Sequence, residues 1–417
     1  MKNILYMGIA LPHNHVVEVF SRSLLRSLQL TRYQAYVYGD ILFCGYFKNP
    51  KIASSEQIAE VKWDVVIVQN SRCFSVYAGI IRSLRKIPII FVSNADDITG
   101  YVAPFDNLYA VLTTSETNLT HWNIPSELCK SLRIPVIASG NHYRYDEQPE
   151  RYELVYCPVQ NGNSLTDSKI LSLANHLNCR ITIIGEEYRT LLPAMSNLVR
   201  IVSRKRYPAI FKKAHLIIAS GYQTLQALAL CKPCVVAGSH GLGGKVTAEN
   251  YAFFKKYGFK GRPGAAANEH IPLNLLQAEV QQALFTPCDY DMTVLHNSVL
   301  ADGYSFKSFQ RAVTQTVEQV LMLHGRLKNR RLHNTLKPRL SNTFHVNHEN
   351  DKNIISCGQV LFNEVDDDLL ALLRQCDGTQ TIEEIVMRNG YDREDVRIFA
   401  DNIMELWKKK LIVFSNS

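Results

Sequence analysis

The sequence predicts an α/β protein made of two doubly wound domains and a small C-terminal α+β domain. Its 417 residues suffice for two or three domains. Apolar runs of strand length alternate with amphipathic helical patterns up to about residue 320, and short strands and helices follow a basic, polar stretch. We therefore expect domains at residues 1–150, 151–323 and 353–417, with a linker at 324–352.

Two successive series of apolar runs predict the first two domains. Runs of this length, separated by amphipathic helices, indicate parallel sheets built from βαβ units. The first series is Asn3–Met7, Gln34–Tyr38, Val65–Gln69, Ile87–Val92 and Ala110–Thr113. The second series is Glu153–Cys157, Arg180–Ile184, Val199–Val202, Leu216–Ala219 and Pro233–Ala237. Ligands of such sheets bind outside the carboxyl ends of the strands, so the ends of these runs are the places to seek a site.

The second domain carries a strand–glycine–helix segment from Ser220 to Pro233. Gly221 permits close backbone approach, and a helix N-terminus offers N–H groups to phosphate. The segment resembles the donor-binding segment of the GT-B superfamily, which glycosyltransferases and nucleotide-sugar 2-epimerases share. In this chain Gln226 replaces the family's Glu, and Cys231 replaces the Gly before x-Pro. The resemblance implies donor contacts from Ser220, Gly221, Thr224 and Gln226; the alternative is an ordinary buried helix.

A glycine-rich stretch follows the fifth run of the second domain. Gly241, Gly243 and Gly244 precede Lys245, and this pattern predicts a backbone cradle for a diphosphate with Lys245 as a point charge. Glu249 lies at the start of the next helical pattern. The spacing matches neither a Walker loop nor the dinucleotide fingerprint, and a flexible loop is the alternative.

Gly185 and Glu186 follow the second run of this domain and are predicted to approach the nucleotide, with a simple helix start as the alternative. No Lys or Arg follows the first run, where Gln160, Asn161 and Gly162 stand. Most retaining GT-B enzymes place a cation there. The sequence therefore favours inversion over retention.

A histidine after the first strand is the candidate catalytic base. His15 ends the segment Pro12-His13-Asn14-His15 and resembles the catalytic histidine of UDP-sugar glycosyltransferases. The resemblance implies that His15 accepts the acceptor's proton while Asp96 or Asp97 orients the imidazole. His13 is a second candidate, and an exposed loop histidine is the alternative.

The C-terminal segment has the element order of a winged helix. Residues Ile354–Phe362 form two short strand patterns around a Gly, and Val365–Leu373 is acidic and then apolar at helical spacing. Thr381 with Glu384 is a capping box. A helix at about Arg393–Lys408 and a strand at Leu411–Phe414 complete the domain.

The run Cys376-Asp377-Gly378-Thr379 and its apolar neighbours resemble the PqqD family, the leader-peptide recognition modules of enzymes that modify ribosomally made peptides. The resemblance implies capture of a ribosomal precursor peptide by strand addition to an exposed sheet edge. The implied peptide contacts are Val360, Leu361, Phe362, Val396 and Phe399. A winged helix that binds DNA is the alternative, but the acidic last helix would repel phosphates, so we expect no nucleic-acid partner.

The stretch between the second and third domains is strongly basic. Residues 324–340 hold six Lys or Arg and no acid, and residues 341–352 are mostly polar without periodicity. The first part extends the preceding helical pattern. The rest is interpreted as a tether for the C-terminal domain.

Bulk composition excludes several classes of protein. The net charge of +8 permits an anionic ligand without requiring one. The ten cysteines are scattered, which is typical of reduced thiols in a cytoplasmic protein. One Cys-x-x-Cys pair, Cys231 and Cys234, lacks a second pair, so we expect no metal site. No apolar run reaches eighteen residues, so we expect no membrane span. The oligomeric state stays open.

Together these features predict a glycosyltransferase that moves a sugar from a nucleotide diphosphate sugar to a ribosomally made peptide. The donor is a substrate, so no cofactor is expected, and a metal-independent, inverting reaction is favoured. Three alternatives remain: an inactive scaffold that binds peptide for a partner enzyme, a nucleotide-sugar epimerase-like enzyme, and a transferase acting on a lipid or polysaccharide.

Overall fold

The computed structural model describes most of the chain in two compact units. Unit 1 comprises Met1–Ile134 and Phe309–Ser417, and unit 2 comprises Pro135–Ser308. The described residues are 1–9, 15–39, 51–93, 106–114, 124–138, 150–158, 167–185, 198–202, 207–285, 289–349, 352–357 and 360–415.

Unit 1 contains a seven-stranded, wholly parallel sheet. Its strands are β1 (Lys2–Met7), β2 (Tyr33–Tyr38), β3 (Lys51–Ile52), β4 (Val65–Gln69), β5 (Ile89–Ser93), β6 (Leu108–Thr113) and β7 (Cys129–Ser131). The spatial order is β3-β2-β1-β4-β5-β6-β7. The order reverses between β1 and β4, which is the topological switch point where doubly wound sheets bind ligands.

The predicted strands of the first domain are confirmed to within two residues at each end. The short strands β3 and β7 were not predicted. Four helices accompany this sheet: α1 (His15–Gln29), α2 (Ser55–Glu60), α3 (Arg72–Val76) and α4 (Ala78–Ser83). Helix α1 buries Phe20, Leu24 and Leu28 at helical spacing, so one apolar stripe faces the core.

The chain returns to unit 1 along α11 (Phe306–Lys328). The Phe309 ring packs edge-on against Phe20 of α1 at 5.4 Å between centroids, and Glu318 pairs with Arg32 at 3.1 Å. The predicted extension of this helix into the basic stretch is confirmed as far as Lys328.

Unit 2 contains a second doubly wound sheet. Its strands are β8 (Tyr152–Tyr156), β9 (Cys179–Ile184), β10 (Val199–Val202), β11 (Leu216–Ala219), β12 (Cys234–Gly238) and β13 (Gly241–Lys245). The spatial order is β10-β9-β8-β11-β12-β13, with only β13 antiparallel. Its helices are α5 (Asp167–His176), α6 (Tyr207–Lys213), α7 (Tyr222–Ala229), α8 (Tyr251–Lys256), α9 (Leu273–Phe285) and α10 (Asp289–Val299). The five predicted strands are confirmed, and the switch point lies between β8 and β11.

The C-terminal domain has two small antiparallel sheets and three helices. β15 (Phe344–Glu349), β16 (Lys352–Cys357) and β17 (Val360–Val365) form one sheet, and β14 (Pro338–Leu340) pairs with β18 (Ile412–Phe414). The helices are α12 (Asp367–Leu373), α13 (Ile382–Arg388) and α14 (Arg393–Lys408). The predicted capping box of Thr381 and Glu384 is present at α13.

The predicted tether at 324–352 is wrong in the structure. Beyond α11, residues Arg330–Thr335 form a 3₁₀ helix, and the polar stretch supplies β14 and β15. Every residue of Phe344–Glu349 is in register with a residue of β16, so the polar sequence hid a strand that a hairpin partner stabilises. The C-terminal domain also belongs to the same compact unit as the first sheet.

Buried aromatic and basic side chains fasten the C-terminal domain to the first sheet. Lys410 is fully buried, its Nζ lies 4.1 Å above the Trp407 ring, and it donates a hydrogen bond to the Asp106 carbonyl at 3.0 Å. Trp407 packs edge-on against Tyr109 of β6, whose hydroxyl lies 2.9 Å from Nδ1 of His324. These contacts bury surface from both parts and hold the C-terminal domain in place.

Among the described residues, no helix is long and apolar enough to cross a bilayer.

Lys410 makes the stability of unit 1 depend on pH. Burial lowers the pKa of the Lys410 ammonium from 10.5 to about 7. Between these values the unfolded chain holds a proton that the folded chain has released, so the free energy of unfolding should rise with pH, by on the order of 2–5 kcal/mol. Below pH 7 the lysine is charged in both states and this gain is absent.

Chemical denaturation at pH 7 to 10 measures this rise directly. Lys410→Met should flatten the profile, whereas Lys408→Met, at an exposed lysine paired with Glu405, should keep it. If the stability of the wild-type chain and of Lys410→Met rises equally with pH, the pKa of Lys410 is not lowered in the folded chain.

Candidate functional site

Several of the predicted donor residues lie at the switch point of the second sheet. Ser220 and Gly221 follow β11 directly, and Cys157 follows β8, with its N–H donating to the Ile218 carbonyl at 2.9 Å. Gly185 directly follows β9, and it has a φ of +141°. These residues therefore share the carboxyl edge at which doubly wound sheets bind ligands.

Gly221 begins α7 in a conformation that favours glycine. Its φ and ψ are 57° and −131°, and as a glycine it has no side chain with which to cap the helix. A Cβ added at Gly221 would meet no described atom within 4 Å. The start of α7 thus leaves open space beside Gly221 at the carboxyl edge, where a helix terminus and its dipole favour an anion.

Ser239 and His240 follow β12 beside this position. A Cβ at Gly238 would lie 2.7 Å from the Cβ of Ser220, so the ends of β11 and β12 touch. The Ser239 hydroxyl lies 3.0 Å from Nδ1 of His240. His240 was not among the predicted site residues, and its place directly after a strand is the signal that could have found it.

Gln226 does not face the donor edge, contrary to the prediction. It is fully buried and makes two hydrogen bonds to the backbone of Ile137: its Nε2 donates to the carbonyl at 2.7 Å, and its Oε1 accepts from the N–H at 2.9 Å. Only an amide donates and accepts in this way. The replacement of the family's Glu by Gln therefore has a structural reason in this chain.

A neighbouring tyrosine holds the same segment. The Tyr222 hydroxyl donates to the Pro135 carbonyl at 2.7 Å, and burial raises the pKa of Tyr222. The N–H of Val136 donates to the Tyr304 carbonyl at 2.9 Å. One face of α7 therefore fixes the path of the chain as it enters unit 2.

Thr224 and the Cys-x-x-Cys pair also belong to the core of unit 2. Thr224 is fully buried, and so is Cys234, whose thiol pKa burial raises to about 12. Cys231 adopts a φ of +55°. This left-handed conformation favours the glycine that the GT-B segment has here, so the backbone requirement persists although the residue differs. The predicted donor contact from Thr224 is wrong in this structure.

The glycine-rich stretch forms a strand rather than a phosphate cradle. Residues Gly241–Lys245 are β13, and the N–H of Lys245 donates to Oε2 of Glu279 on α9 at 2.7 Å. A Cβ at Gly244 would lie 2.8 Å from that carboxylate oxygen, and one at Gly243 would lie 2.6 Å from the Gly261 carbonyl. The glycines serve close packing, and the carboxylate already occupies the place of an anion.

The two remaining predicted donor residues are Glu249 and Glu186. Glu249 is exposed in the turn before α8. Glu186 lies outside the described residues, beside the described Gly185.

The first sheet has its own switch point, where the predicted base stands. His15 is the first residue of α1, which follows β1, so its backbone is at the carboxyl edge of the sheet. Its side chain lies outside the described part of the structure, as do His13, Asp96 and Asp97 entirely. The pairing of base and carboxylate stays a prediction.

Two buried polar residues at this edge were missed by the sequence reasoning. Gln69 ends β4 with 1% exposure, and its Oε1 lies 2.7 Å from the Ser21 hydroxyl of α1. Asn70 follows with a φ of +63°, and its Oδ1 accepts from the N–H of Cys73 at 3.2 Å. The signal was available, because both residues directly follow an apolar run.

The predicted peptide contacts fall into two groups. Val360, Leu361 and Phe362 are on β17, an edge strand of its three-stranded sheet as described. Val396 and Phe399 of α14 are only 2% and 3% exposed, so they pack in the core. Their predicted direct contact with a peptide is wrong in this structure, because the apolar stripe of α14 is used for packing.

Metal ligands were also sought. Within the described ranges, no group of three or more His, Cys, Asp or Glu side chains is arranged to hold a metal ion.

Comparison with known proteins identifies the fold. No family model matches the sequence, and no curated protein matches it. The solved structure of HepE from Anabaena, in complex with UDP and glucose, matches at a TM-score of 0.50 and 11% identity, over 76% of this chain and 100% of that chain. A glycosyltransferase from Rickettsia africae matches at 0.50 and 12%, over 77% and 98%.

A structure described as a UDP-N-acetylglucosamine 2-epimerase from Listeria monocytogenes also matches, at 0.41 and 9%, over 72% of this chain and 95% of that chain, which is too remote to bear on function. The likeness shows the fold: the two doubly wound sheets form a GT-B-like body.

The Gln226 contact predicts a severe effect of one conservative change. In Gln226→Glu, a buried carboxylate would face the Ile137 carbonyl without a proton to donate, and the free energy of unfolding should fall by about 2–4 kcal/mol. The loss should be largest at neutral pH and smaller in acid, where a protonated carboxyl restores the donor.

Thermal unfolding of Gln226→Glu against Gln223→Glu, a half-buried position on the same helix, measures the effect. Equal melting temperatures for the two variants would show that the paired hydrogen bonds of Gln226 contribute nothing.

Proposed function

We propose that this protein is a glycosyltransferase that moves a sugar from a nucleotide diphosphate sugar to a residue of a ribosomally made peptide. One observation carries the donor half of the proposal: at the switch point of the second sheet, α7 begins at Gly221, a positive-φ glycine with open space beside it among the described residues. The GT-B-like body supports the same half.

The donor would bind at the carboxyl edge of β8, β9, β11 and β12. Gly221 and Ser220 would approach the diphosphate, because backbone N–H groups at a helix N-terminus neutralise phosphate without a side chain. Gly185 would admit the nucleotide beside β9. Gln226, Thr224 and the glycines of β13 are left out, since their contacts are structural.

The first domain would supply the base for an inverting, metal-independent displacement. An acceptor atom of the peptide attacks the anomeric carbon, the bond from that carbon to the phosphate oxygen breaks, and the nucleoside diphosphate leaves with the electron pair. His15 would take the acceptor's proton, with Asp96 or Asp97 stabilising the imidazolium. A single displacement of this kind inverts the anomeric centre.

The C-terminal domain would hold the peptide by strand addition, as its resemblance to the PqqD family implies. Edge strand β17 is the proposed template, because an edge offers N–H and C=O groups that a partner strand can pair. Val396 and Phe399 would support this sheet from the core without touching the peptide. Holding the leader in this way raises the effective concentration of the acceptor.

A second candidate function has specific support. Two of the predicted donor elements serve the fold, since Gln226 binds Ile137 and Lys245 binds Glu279 through its backbone. A body in which these residues stabilise the fold and do not bind a donor fits a scaffold that binds peptide for a partner enzyme. An epimerase-like enzyme is the weaker candidate, because an epimerase has no use for a peptide-binding domain.

Donor binding is tested by thermal shift of the full chain with UDP, GDP, dTDP and CDP sugars. A ligand at about one hundred times its dissociation constant should stabilise the protein by about 2.7 kcal/mol. Gly221→Val should lose the shift, because a β-branched residue strains the positive φ at the start of α7.

Gly390→Val is the matched control for this change. Gly390 has a φ of +81° and equally open surroundings, but it lies in the C-terminal domain, so this variant should keep the shift. No shift with any nucleotide sugar would refute the transferase and leave the scaffold.

Peptide capture is tested by two adjacent prolines in β17. N–H groups alternate in direction along the regular part of β17, where Asn363, Glu364 and Val365 pair in step with β16, so one of Asn363→Pro and Glu364→Pro should break the ladder to β16 and lower stability. The other should leave stability nearly unchanged and weaken peptide binding by about tenfold or more, for loss of one edge hydrogen bond and the added bulk. The measurement is fluorescence anisotropy with labelled peptides encoded beside the gene.

Unchanged affinity in both proline variants, with binding retained by the wild-type chain, would place the peptide elsewhere.

A further inference from the structure

A second glycine-rich loop, unlike the one singled out in the sequence, covers the ends of β11 and β12. It runs from Tyr257 to Gly264 and follows α8. Gly258, Gly261 and Gly264 all have positive φ, at +64°, +139° and +78°. Two cations, Lys260 and Arg262, flank the middle glycine.

Backbone hydrogen bonds fix this loop against the carboxyl edge. The N–H of Gly221 donates to the Phe259 carbonyl at 2.8 Å, and the N–H of His240 donates to the Lys260 carbonyl at 2.9 Å. The N–H of Arg262 returns to the His240 carbonyl at 2.9 Å. The loop is therefore bonded both to the residue that begins α7 and to the end of β12.

Gly261 permits this close approach. A Cβ there would lie 2.5 Å from the carbonyl carbon of His240 and 2.7 Å from the Gly241 carbonyl oxygen. No other residue fits without moving the backbone of β12. Since Lys260 and Arg262 stand on either side of Gly261, this contact places both cations next to the strand end.

The charge around the loop is one-sided. Residues 250–268 contain four Lys or Arg and no Asp or Glu. Lys255 is neutralised by Asp302 at 2.5 Å, and Arg262 binds Glu269 through two hydrogen bonds of 2.6 and 3.2 Å. Lys260 is exposed, and the described residues give it no acidic partner.

We propose that Lys260 and Arg262 bind the diphosphate of the donor, a role the sequence pattern had suggested for Lys245; the proposal rests on the proposed function. Lys260 would act as a point charge, and the planar Arg262 guanidinium would exchange the Glu269 carboxylate for phosphate oxygens. The α7 N-terminus, bonded to the same loop through Gly221, would complete the site. Lys245 is not included in this site, because its backbone N–H is bonded to the Glu279 carboxylate.

Calorimetric titration of the full chain tests this assignment. The panel UDP, GDP, dTDP and CDP first identifies the nucleotide that the wild-type chain binds. Lys260→Gln and Arg262→Gln should each weaken binding of that diphosphate by about 10- to 100-fold, the loss of one charge-assisted contact. The corresponding nucleoside, which carries no phosphate, should bind equally weakly to all variants.

Two control variants separate this site from general surface charge. Lys256→Gln removes an exposed lysine from α8, where its Nζ lies 5.8 Å from the Tyr257 ring centroid, and Lys245→Gln removes the charge first suggested by the sequence. Both should leave the dissociation constant within about twofold.

The possible outcomes distinguish a failure of the proposed function from a failure of the assignment of Lys260 and Arg262 to the diphosphate. If the wild-type chain binds no nucleoside diphosphate, the proposed function fails and this assignment fails with it. If it binds one and Lys260→Gln and Arg262→Gln bind equally well, only the assignment is overturned. Inorganic pyrophosphate that binds as tightly as the nucleotide would indicate an unspecific anion surface and would also overturn it.

Discussion

The parallel pairing of β11 between β8 and β12 is the constraint on which the candidate site depends. Parallel strands end at the same edge, so this pairing brings Gly221 and His240 next to each other although 19 positions separate them in the sequence. The edge is then shaped by backbone geometry: a positive φ at Gly221 and the close approach of Gly261. The backbone conformations of glycines therefore shape most of the site, and few side chains take part in it.

The departures of this chain from the GT-B segment are explained by packing. Gln226 binds a peptide group on both sides, which an ionised glutamate cannot do, and Cys231 has a left-handed backbone conformation, which favours glycine. Sequence reasoning predicted strand and helix positions well, because apolar runs of β8, β9, β11 and β12 are unambiguous. A phosphate cradle was predicted where β13 lies, and the glycine-rich loop at 257–264 was missed, since φ angles and strand neighbours do not appear in a local pattern.

The C-terminal domain also has features that its sequence could predict and features that it could not. Its helix starts were predictable from Asp366, Thr381 and Asp392, whose side chains cap the helices as their spacing indicates. Its attachment to the first sheet was not predictable, because it depends on a buried lysine. Lys410 lies over the nearby Trp407 ring, and its hydrogen bond to the Asp106 carbonyl joins residues 304 positions apart. Placed on unit 1 in this way, the domain is a folded part of the body, and a peptide on β17 would meet a fixed platform.

The central claim is that the chain transfers sugar to a peptide, and turnover tests it most directly. Purified full-length chain would be incubated with each nucleotide sugar and with peptides encoded beside its gene, and the peptide mass and released nucleoside diphosphate would be measured together. We expect one nucleotide sugar to increase the mass of the peptide by one sugar residue and to release an equal amount of nucleoside diphosphate. Peptide binding without either product, for every donor, would contradict the transferase and favour the scaffold.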